Sequence, residues 1–145
     1  MIGLDCNILV QLAFADHPAH AKTVVAVQNE TQAGVKLVLP SLVINEFLHV
    51  STDDKRFAPP LAMSDALDWV EELFKNSAVR LVEANQAAMD QTIRWMRQFK
   101  LGRKRILDTH LAAILYANGV ERLLTSNPAD FTIFGVLKIV TIAAG

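Results

Sequence analysis

The sequence predicts an α/β fold with a mainly parallel central sheet flanked by helices. Short apolar runs alternate with longer segments of helical periodicity along all 145 residues. This alternation is typical of sheets whose parallel strands are joined by helical crossovers. The composition, 52% hydrophobic and 20% charged, is that of an ordinary globular protein. The length predicts one domain that spans residues 1–145.

Five apolar segments bounded by turn-forming or polar residues are predicted to be strands. They lie at 1–4, 36–39, 78–82, 122–125 and 138–142. Helices are predicted between them, at 8–14, 17–32, 42–50, from 64 onward, at 85–101 and at 108–118. The expected N-caps are Asn7, Ser41, Ser64 and Asn85. The apolar periodicity of three of these helices predicts which side chains face the core. They are Ala21, Val24, Val25, Val27, Leu67, Val70, Leu73, Phe74, Met89, Ile93 and Met96.

Composition also restricts the class of protein. The formal net charge of −1 gives no general attraction to nucleic acid or membrane, so any such contact must come from a local patch. A single cysteine, Cys6, excludes a disulfide within the chain. No apolar run reaches the roughly 18 residues of a membrane-spanning helix, and no signal peptide is evident. We therefore expect a soluble, cytoplasmic protein.

Glu46 is the most informative single residue, because it falls within an apolar helical stripe. Leu42 and Val50 lie on either side of it, and Phe47 lies beside it. An unpaired buried carboxylate costs several kcal/mol, so such an acid is normally paired, hydrated or bound to a metal. A rim glutamate that reaches water, or one that is paired with an arginine, remains the alternative.

Other oxygen-bearing side chains stand at the ends of predicted elements. Asp5 follows the first strand, Asp108 opens a helix, and Asn127 and Asp130 follow the fourth strand. Taken singly, each fits a helix cap or a turn. Taken together, several carboxylates at one place repel unless a cation joins them. Ligand sets made only of oxygen suit Mg²⁺ or Mn²⁺, which activates water during phosphate hydrolysis.

A run of basic residues leads into Asp108 with no acid among its twelve residues. Such a run can grip an RNA backbone. It can also be a solvated helix end, where cations are favoured by the helix dipole. The candidate RNA-binding residues are Arg94, Arg97, Lys100, Arg103, Lys104 and Arg105.

Four motifs give the chain a specific resemblance. They are LDCNILV (4–10), INEFLHV (44–50), ILDTHLAAILYANG (106–119) and LLTSNPADF (123–131). In this order and spacing the chain resembles the PIN-domain family and, within it, the VapC-type toxin ribonucleases. The resemblance covers nearly the whole chain and implies a three-layer sandwich.

The resemblance also implies a metal-dependent endoribonuclease with Mg²⁺ or Mn²⁺ as its cofactor. Asp5, Glu46 and Asp108 would be the catalytic and metal-binding acids. Asn127 stands where the family often has Asp, and Asp130 is a further candidate ligand. Asn7 and Thr125 match positions that help to order the acid pocket in the family.

Partners follow from the same resemblance. The chain would be the toxin of a toxin–antitoxin pair, would cut RNA, and would form a homodimer. Apolar residues of the helices at 8–14 and 42–50 would receive the antitoxin. A haloacid-dehalogenase-like phosphatase is disfavoured because it needs a second Asp where this chain has Asn7. A non-catalytic PIN-like module that binds RNA or protein remains the alternative.

Overall fold

The computed structural model, which describes residues 1–142, contains one five-stranded sheet. Its strands are β1 (Ile2–Leu4), β2 (Leu37–Pro40), β3 (Val79–Val82), β4 (Arg122–Thr125) and β5 (Lys138–Thr141). Their order across the sheet is β3-β2-β1-β4-β5, and every neighbouring pair is parallel. The predicted α/β class with a parallel central sheet is therefore confirmed.

Six α-helices connect and cover these strands. They are α1 (Cys6–Ala13), α2 (His20–Gln32), α3 (Ser41–Ser51), α4 (Met63–Phe74), α5 (Gln86–Gln98) and α6 (Ile106–Ala117). Parallel crossovers are right-handed, and the chain changes direction across the sheet between β3 and β4. As a result, α1–α4 cover one face and α5 and α6 cover the other. This arrangement is the predicted three-layer sandwich, and none of the helices within residues 1–142 is long and apolar enough to cross a membrane.

The strand order reverses at β1, and this reversal locates the site. β2 pairs with one edge of β1 and β4 with the other, with Leu4 in register with Leu124. The amide of Asp5 continues this pairing and donates a 3.1 Å hydrogen bond to the Leu124 carbonyl. In open parallel sheets, ligands bind in the crevice beyond the carboxyl ends of strands at such a reversal. Residues just after β1 and β4 therefore face one crevice.

A leucine side chain of helix α6 packs directly against Gly3 of β1. A Cβ atom added to Gly3 would stand 2.6 Å from Cδ1 of Leu115, whose side chain is fully buried. The missing side chain of Gly3 thus allows the helix to rest directly on the strand. This contact fixes α6, and with it Asp108, relative to the end of β1.

Three of the predicted N-caps are wrong. Asp5, and not Asn7, caps α1, while α3 and α4 begin without a side-chain cap from Ser41 or Ser64. Asn85 does cap α5, since its Oδ1 accepts a 2.9 Å hydrogen bond from the Ala88 amide. Capping residues are common near helix starts, so residue type alone does not single out the one that caps.

Asp108 does not open its helix. Helix α6 begins at Ile106, two residues earlier, and has no side-chain cap. The simple alternative for Asp108, that it is a helix cap, is therefore wrong. Its carboxylate lies within the first turn, where the positive end of the helix dipole favours negative charge.

Several helices bury small residues instead of the predicted large ones. Val25, Leu67, Phe74, Met89 and Ile93 are exposed, contrary to the prediction. Ala21 is exposed too, whereas Val70 is buried, and Val24, Val27, Leu73 and Met96 are half-buried. The buried positions of α2, α4 and α5 are Thr23, Ala66, Val70, Ala88, Thr92 and Trp95. Small side chains let helices approach closely, and an apolar surface remains on the outside.

Candidate active site

A pocket of about 240 Å³ opens at the carboxyl ends of β1 and β4. Every acid that the sequence singled out contributes to its wall, although these acids lie far apart in the chain. The residues that line it are Asp5, Cys6, Asn7, Val10, Gln11, His17, Glu46, Val50, Arg56, Asp108, Asn127 and Asp130. We call this the acid pocket.

Asp5 is buried and tightly held at the centre of this pocket. Its Oδ1 accepts a 2.7 Å hydrogen bond from the Cys6 amide. Its Oδ2 accepts bonds of 2.7 Å from the Thr125 hydroxyl and 3.1 Å from Nδ2 of Asn7. Burial nevertheless raises the pKa of Asp5 above its usual value, because desolvation outweighs these hydrogen bonds.

Asn7 and Thr125 connect the two strand ends. Oδ1 of Asn7 accepts a 3.2 Å bond from the Ser126 amide, and Oγ1 of Thr125 accepts a 3.0 Å bond from the Asn127 amide. Asn7, in the first turn of α1, thus braces the loop after β4, and Thr125, the last residue of β4, holds both that loop and Asp5. The backbone at Asn127 is fixed by this bond, and its exposed side chain is at the pocket wall.

Glu46 and Asp108 complete the acidic wall, and both are half-buried. Burial, and then the charge of Asp5, raises the pKa of Glu46. Burial, followed by the charges of Asp130 and Asp5, raises the pKa of Asp108 from 3.8 to about 6. The carboxylates are therefore close enough to repel one another across the pocket.

Arg105 lies between two of these acids. It donates a hydrogen bond to the Asp130 carbonyl, and its Nε lies 3.9 Å from Oδ2 of Asp108. This Nε is buried and makes no hydrogen bond, so the contact with Asp108 is an ion pair and not a hydrogen bond. Arg105 therefore holds the 128–130 turn next to α6 and partly offsets the repulsion at Asp108.

The rest of the basic run stands on the surface. Arg94 and Arg97 are exposed on α5, while Lys100, Arg103 and Lys104 are exposed on the segment that leads into α6. Lys100 has a φ of 51°, a left-handed conformation that ends the preceding helix. The predicted interface thus divides into five exposed cations and one, Arg105, that is engaged beside the acids.

The sequence did not single out several residues of the pocket wall. Gln11 is buried, and its amide links Ser126 Oγ at 2.7 Å to Thr23 Oγ1 at 2.7 Å. His17, predicted to start a helix at 17–32, lies in the loop before α2, and Arg56 reaches the wall from the loop between α3 and α4. His110, two residues after Asp108, does not line the pocket, and its Nδ1 lies 2.9 Å from the Thr92 hydroxyl. Only the tertiary packing reveals these positions.

Cys6 also lines the pocket but is not equipped as a nucleophile. Burial, and then the charges of Glu46 and Asp5, raises the pKa of its thiol well above the usual value. A thiol must be deprotonated to attack, so this environment keeps Cys6 inert at neutral pH. Its role is that of a small buried residue.

The donors around the pocket suit a hard divalent cation. They are carboxylates and an amide, and burial, followed by repulsion between neighbouring carboxylates, raises the pKa values of the three acids. Within residues 1–142, no three acidic, His or Cys side chains already converge at ligand distance. The residues therefore fit a cation that draws the acids together or binds partly through water, as Mg²⁺ commonly does.

Comparison with known protein families identifies the family of this chain. The model of the PIN domain matches residues 2–132. The chain belongs to the PIN domain family. The acid pocket of this PIN domain contains Asp5, Glu46 and Asp108, the acids carried by three of the motifs.

Similar proteins of known name include two ribonucleases of Mycobacterium tuberculosis. Ribonuclease VapC33 is 25% identical over 138 residues, which are 95% of this PIN chain and 95% of the relative. Ribonuclease VapC24 is 25% identical over 139 residues, which are 96% of this chain and 94% of the relative. The similarity extends over essentially the full length of each protein.

Solved structures show the same fold. The toxin VapC20 of Mycobacterium tuberculosis, described as cleaving the sarcin–ricin loop, superposes with a TM-score of 0.68 at 12% identity, covering 94% of this chain and 97% of that one. VapBC2 of Rickettsia felis, solved with a fragment of its promoter DNA, gives 0.66 at 16% identity, covering 97% and 98%. At such identities the likeness concerns the fold of this PIN domain.

Proposed function

We propose that this PIN-domain protein is a metal-dependent endoribonuclease that acts as the toxin of a toxin–antitoxin pair. The observation that carries the proposal is the acid pocket, where Asp5, Glu46 and Asp108 meet at the reversal of the strand order with raised pKa values. The full-length similarity to two proteins named as ribonucleases supports the choice of RNA as substrate.

The proposed cofactor is Mg²⁺ or Mn²⁺, held by Asp5 and Asp108 with Glu46 as a further ligand, direct or through water. Asn127 and Asp130 stand on the same wall and add oxygen donors. A bound divalent cation supplies Lewis-acid chemistry, since it activates water and offsets negative charge that builds up on phosphate. Burial, and then repulsion from Asp130 and Asp5, raises the pKa of Asp108, and a bound cation would favour its ionised form.

The protein's own groups have distinct tasks in this scheme. Asp5 is fixed by three hydrogen bonds, so its two oxygens are oriented before substrate arrives. Glu46 is half-buried with a raised pKa, which suits it to accept a proton from the attacking water. Attack of water in line with the departing 3′ oxygen would leave a 5′-phosphate and a 3′-hydroxyl.

The basic run would bind the RNA backbone beside the pocket. Five of its cations are exposed, and the segment from Gly102 to Arg105 connects it directly to α6. Sequence-independent contacts to phosphates are the usual role of such cations. Arg105 is assigned differently, because its guanidinium already contacts Asp130 and Asp108. It would stabilise the negative charge of Asp108 instead of binding the RNA backbone.

An antitoxin and a second copy of the chain are the proposed protein partners. Solved structures with this fold include one named as a toxin–antitoxin complex from Klebsiella pneumoniae. On this chain, Leu12, Leu42 and Leu48 are half-buried apolar residues of α1 and α3. They would receive an apolar segment of the antitoxin.

The exposed residues Met89, Ile93, Ile106 and Leu107 of α5 and α6 would form the homodimer contact. Ile93→Glu should then yield a monomer by light scattering. An unchanged mass for that variant would place the dimer contact elsewhere.

The proposed activity is tested with partner-free protein and total RNA. Cleavage into discrete fragments should occur with Mg²⁺ or Mn²⁺ and stop with EDTA. The same experiment separates the nuclease from the alternative, a PIN-like module that only binds RNA or protein. A folded, partner-free protein that binds RNA and leaves it intact in both metals would favour that module.

A further inference from the structure

A second concave pocket of about 270 Å³ adjoins the acid pocket. Its wall is mainly aromatic and proline, in contrast to the carboxylates next door. The residues that line it are Phe14, Asp16, His17, Pro18, Phe57, Ala58 and Pro59. We call this the aromatic pocket. It is formed by the end of α1, the segment that leads to α2, and the loop between α3 and α4.

The two pockets share one wall. His17 lines both of them. Arg56 and Phe57 are consecutive in the chain, yet Arg56 lines the acid pocket and Phe57 lines the aromatic pocket. A cation and an aromatic ring are therefore presented side by side, one to each pocket. A ligand that enters both would need a negative group joined to a flat apolar group.

The aromatic pocket contains a stacked pair. The rings of Phe14 and Phe57 have centroids 4.2 Å apart and an interplanar angle of 15°. Both rings remain half-buried, so this pair is not enclosed in the core. Flat aromatic surfaces that line a pocket are platforms on which nucleobases stack.

The shared wall is also ordered. The Ala19 amide donates a 3.0 Å hydrogen bond to Nδ1 of His17, which fixes the ring and leaves Nε2 as the N–H donor of the neutral imidazole. On the other side, Nε of Arg56 lies 3.4 Å from Oδ2 of Asp53. This contact within the loop between α3 and α4 keeps the Arg56 guanidinium at the wall of the acid pocket.

We propose that the aromatic pocket binds the base of the nucleotide next to the scissile phosphate, and that Arg56 contacts a phosphate of that nucleotide. This inference rests on the proposed ribonuclease function and names the subsite that reads the RNA. The phosphate backbone would lie along the shared wall between Arg56 and His17. The base would stack on the Phe57 side, where differences in stacking strength between bases give a modest base preference.

A nucleobase fits the observations better than an aromatic side chain of a protein partner. The aromatic pocket shares the wall at His17 with the acid pocket, so its occupant must be compatible with a reacting phosphate close by. Arg56 adds a positive charge at that junction, which complements a phosphodiester. A nucleotide provides both groups within one unit, whereas an apolar protein segment provides only one.

Phe57→Leu is the decisive variant, because it keeps an apolar side chain in the loop and removes the aromatic face. Phe57→Tyr restores a ring, and Phe74→Leu is the matched control at an exposed phenylalanine at the end of α4. Fragment ends from total RNA, mapped by sequencing, give the base preference at each position around the cut. Rates on a short oligoribonucleotide with the mapped site give kcat/KM.

The wild-type protein and Phe74→Leu should share a base preference at one position beside the cut. Phe57→Leu should abolish the base preference at that position and lower kcat/KM about fivefold or more. Phe57→Tyr should retain both properties. Arg56→Ala should lower kcat/KM evenly for all sequences, since a phosphate contact does not depend on the base.

Metal-dependent cleavage by Phe57→Leu with the wild-type preference and rate would overturn the base subsite and leave the ribonuclease intact. If Phe57→Leu weakened only the binding of a protein partner, the pocket would belong to that partner and the proposal would be wrong. Absence of any cleavage by the wild-type protein would remove the proposed function and this inference together. Thermal melting of each variant establishes that it is folded.

Discussion

The Thr125 hydroxyl donates a 2.7 Å hydrogen bond to Oδ2 of Asp5, across 120 positions of sequence. The same oxygen of Thr125 accepts a 3.0 Å bond from the Asn127 amide. One buried hydroxyl therefore orients the central acid of the pocket and positions the loop after β4. Together with the bonds from the Asp5 amide to Leu124 and from the Ser126 amide to Asn7, this group joins the two strand ends on either side of the reversal.

Thr125→Val should weaken both the site and the fold. Valine keeps the shape of the side chain but leaves Oδ2 of Asp5 with one donor fewer, and it also removes the acceptor for the Asn127 amide. We expect the free energy of unfolding to fall by about 1–3 kcal/mol, as for other buried groups left unpaired. Denaturant titration measures this loss, and Thr125→Ser is the control that should recover most of it.

Asp108→Asn should stabilise the metal-free protein. Burial and the charges of Asp130 and Asp5 raise the pKa of Asp108 to about 6, so its ionised form is unfavourable in the folded state at neutral pH. Removing that charge should raise Tm by roughly 3 °C. Asp68→Asn, at an exposed position on α4, is the control that should change Tm little. A lower Tm for Asp108→Asn would contradict the electrostatic account.

The metal-free protein should lose stability as pH rises from about 4 to about 6. Asp108 has a higher pKa in the folded state than its usual 3.8, so over this interval the folded state binds more protons than the unfolded state. The free energy of unfolding therefore falls with rising pH and levels off above about 6. Thermal melts across this range in EDTA measure the slope, which Asp108→Asn should reduce. A rising curve would contradict the prediction.

How much of the site was predictable from sequence depends on whether a residue belongs to a regular element. β4 was predicted with its observed bounds, and Glu46 stood out because it breaks an apolar stripe. His17 and Arg56 were missed because their positions depend on how two loops fold onto the pocket. Periodicity predicted that Met89 and Ile93 face the core, but both are exposed. The smaller Ala88 and Thr92 are buried in their place, and they allow α5 to pack more closely.

Asn127→Asp should strengthen metal binding at the cost of apo stability. Asn127 lines the acid pocket with an exposed side chain, while its amide is held by Thr125, so the substitution changes charge without changing the backbone. One more carboxylate increases repulsion without metal and attraction with it. We expect a lower Tm in EDTA and a larger rise of Tm with Mn²⁺. An equal rise in both proteins would show that Asn127 does not face the cation.

The basic run should be visible in the salt dependence of RNA binding. Lys104 is exposed, and a phosphate contact from it contributes about 0.7 to the slope of log K against log salt for a single strand. Lys104→Ala should reduce the slope by about that amount, measured by anisotropy on catalytically inactive Asp108→Asn protein. Lys75→Ala, at the far end of α4, should leave it unchanged. An unchanged slope for Lys104→Ala would mean that the run is a solvated helix end.

The most direct test of the ribonuclease account is to compare partner-free wild-type protein with Asp108→Asn on total RNA and to determine the chemistry of the new ends. The account predicts discrete fragments that require Mg²⁺ or Mn²⁺, carry 5′-phosphate and 3′-hydroxyl ends, and are absent with Asp108→Asn. Cleavage by Asp108→Asn at the wild-type rate would contradict it. So would 2′,3′-cyclic phosphate ends, because they arise when the RNA 2′-hydroxyl is the nucleophile in place of water.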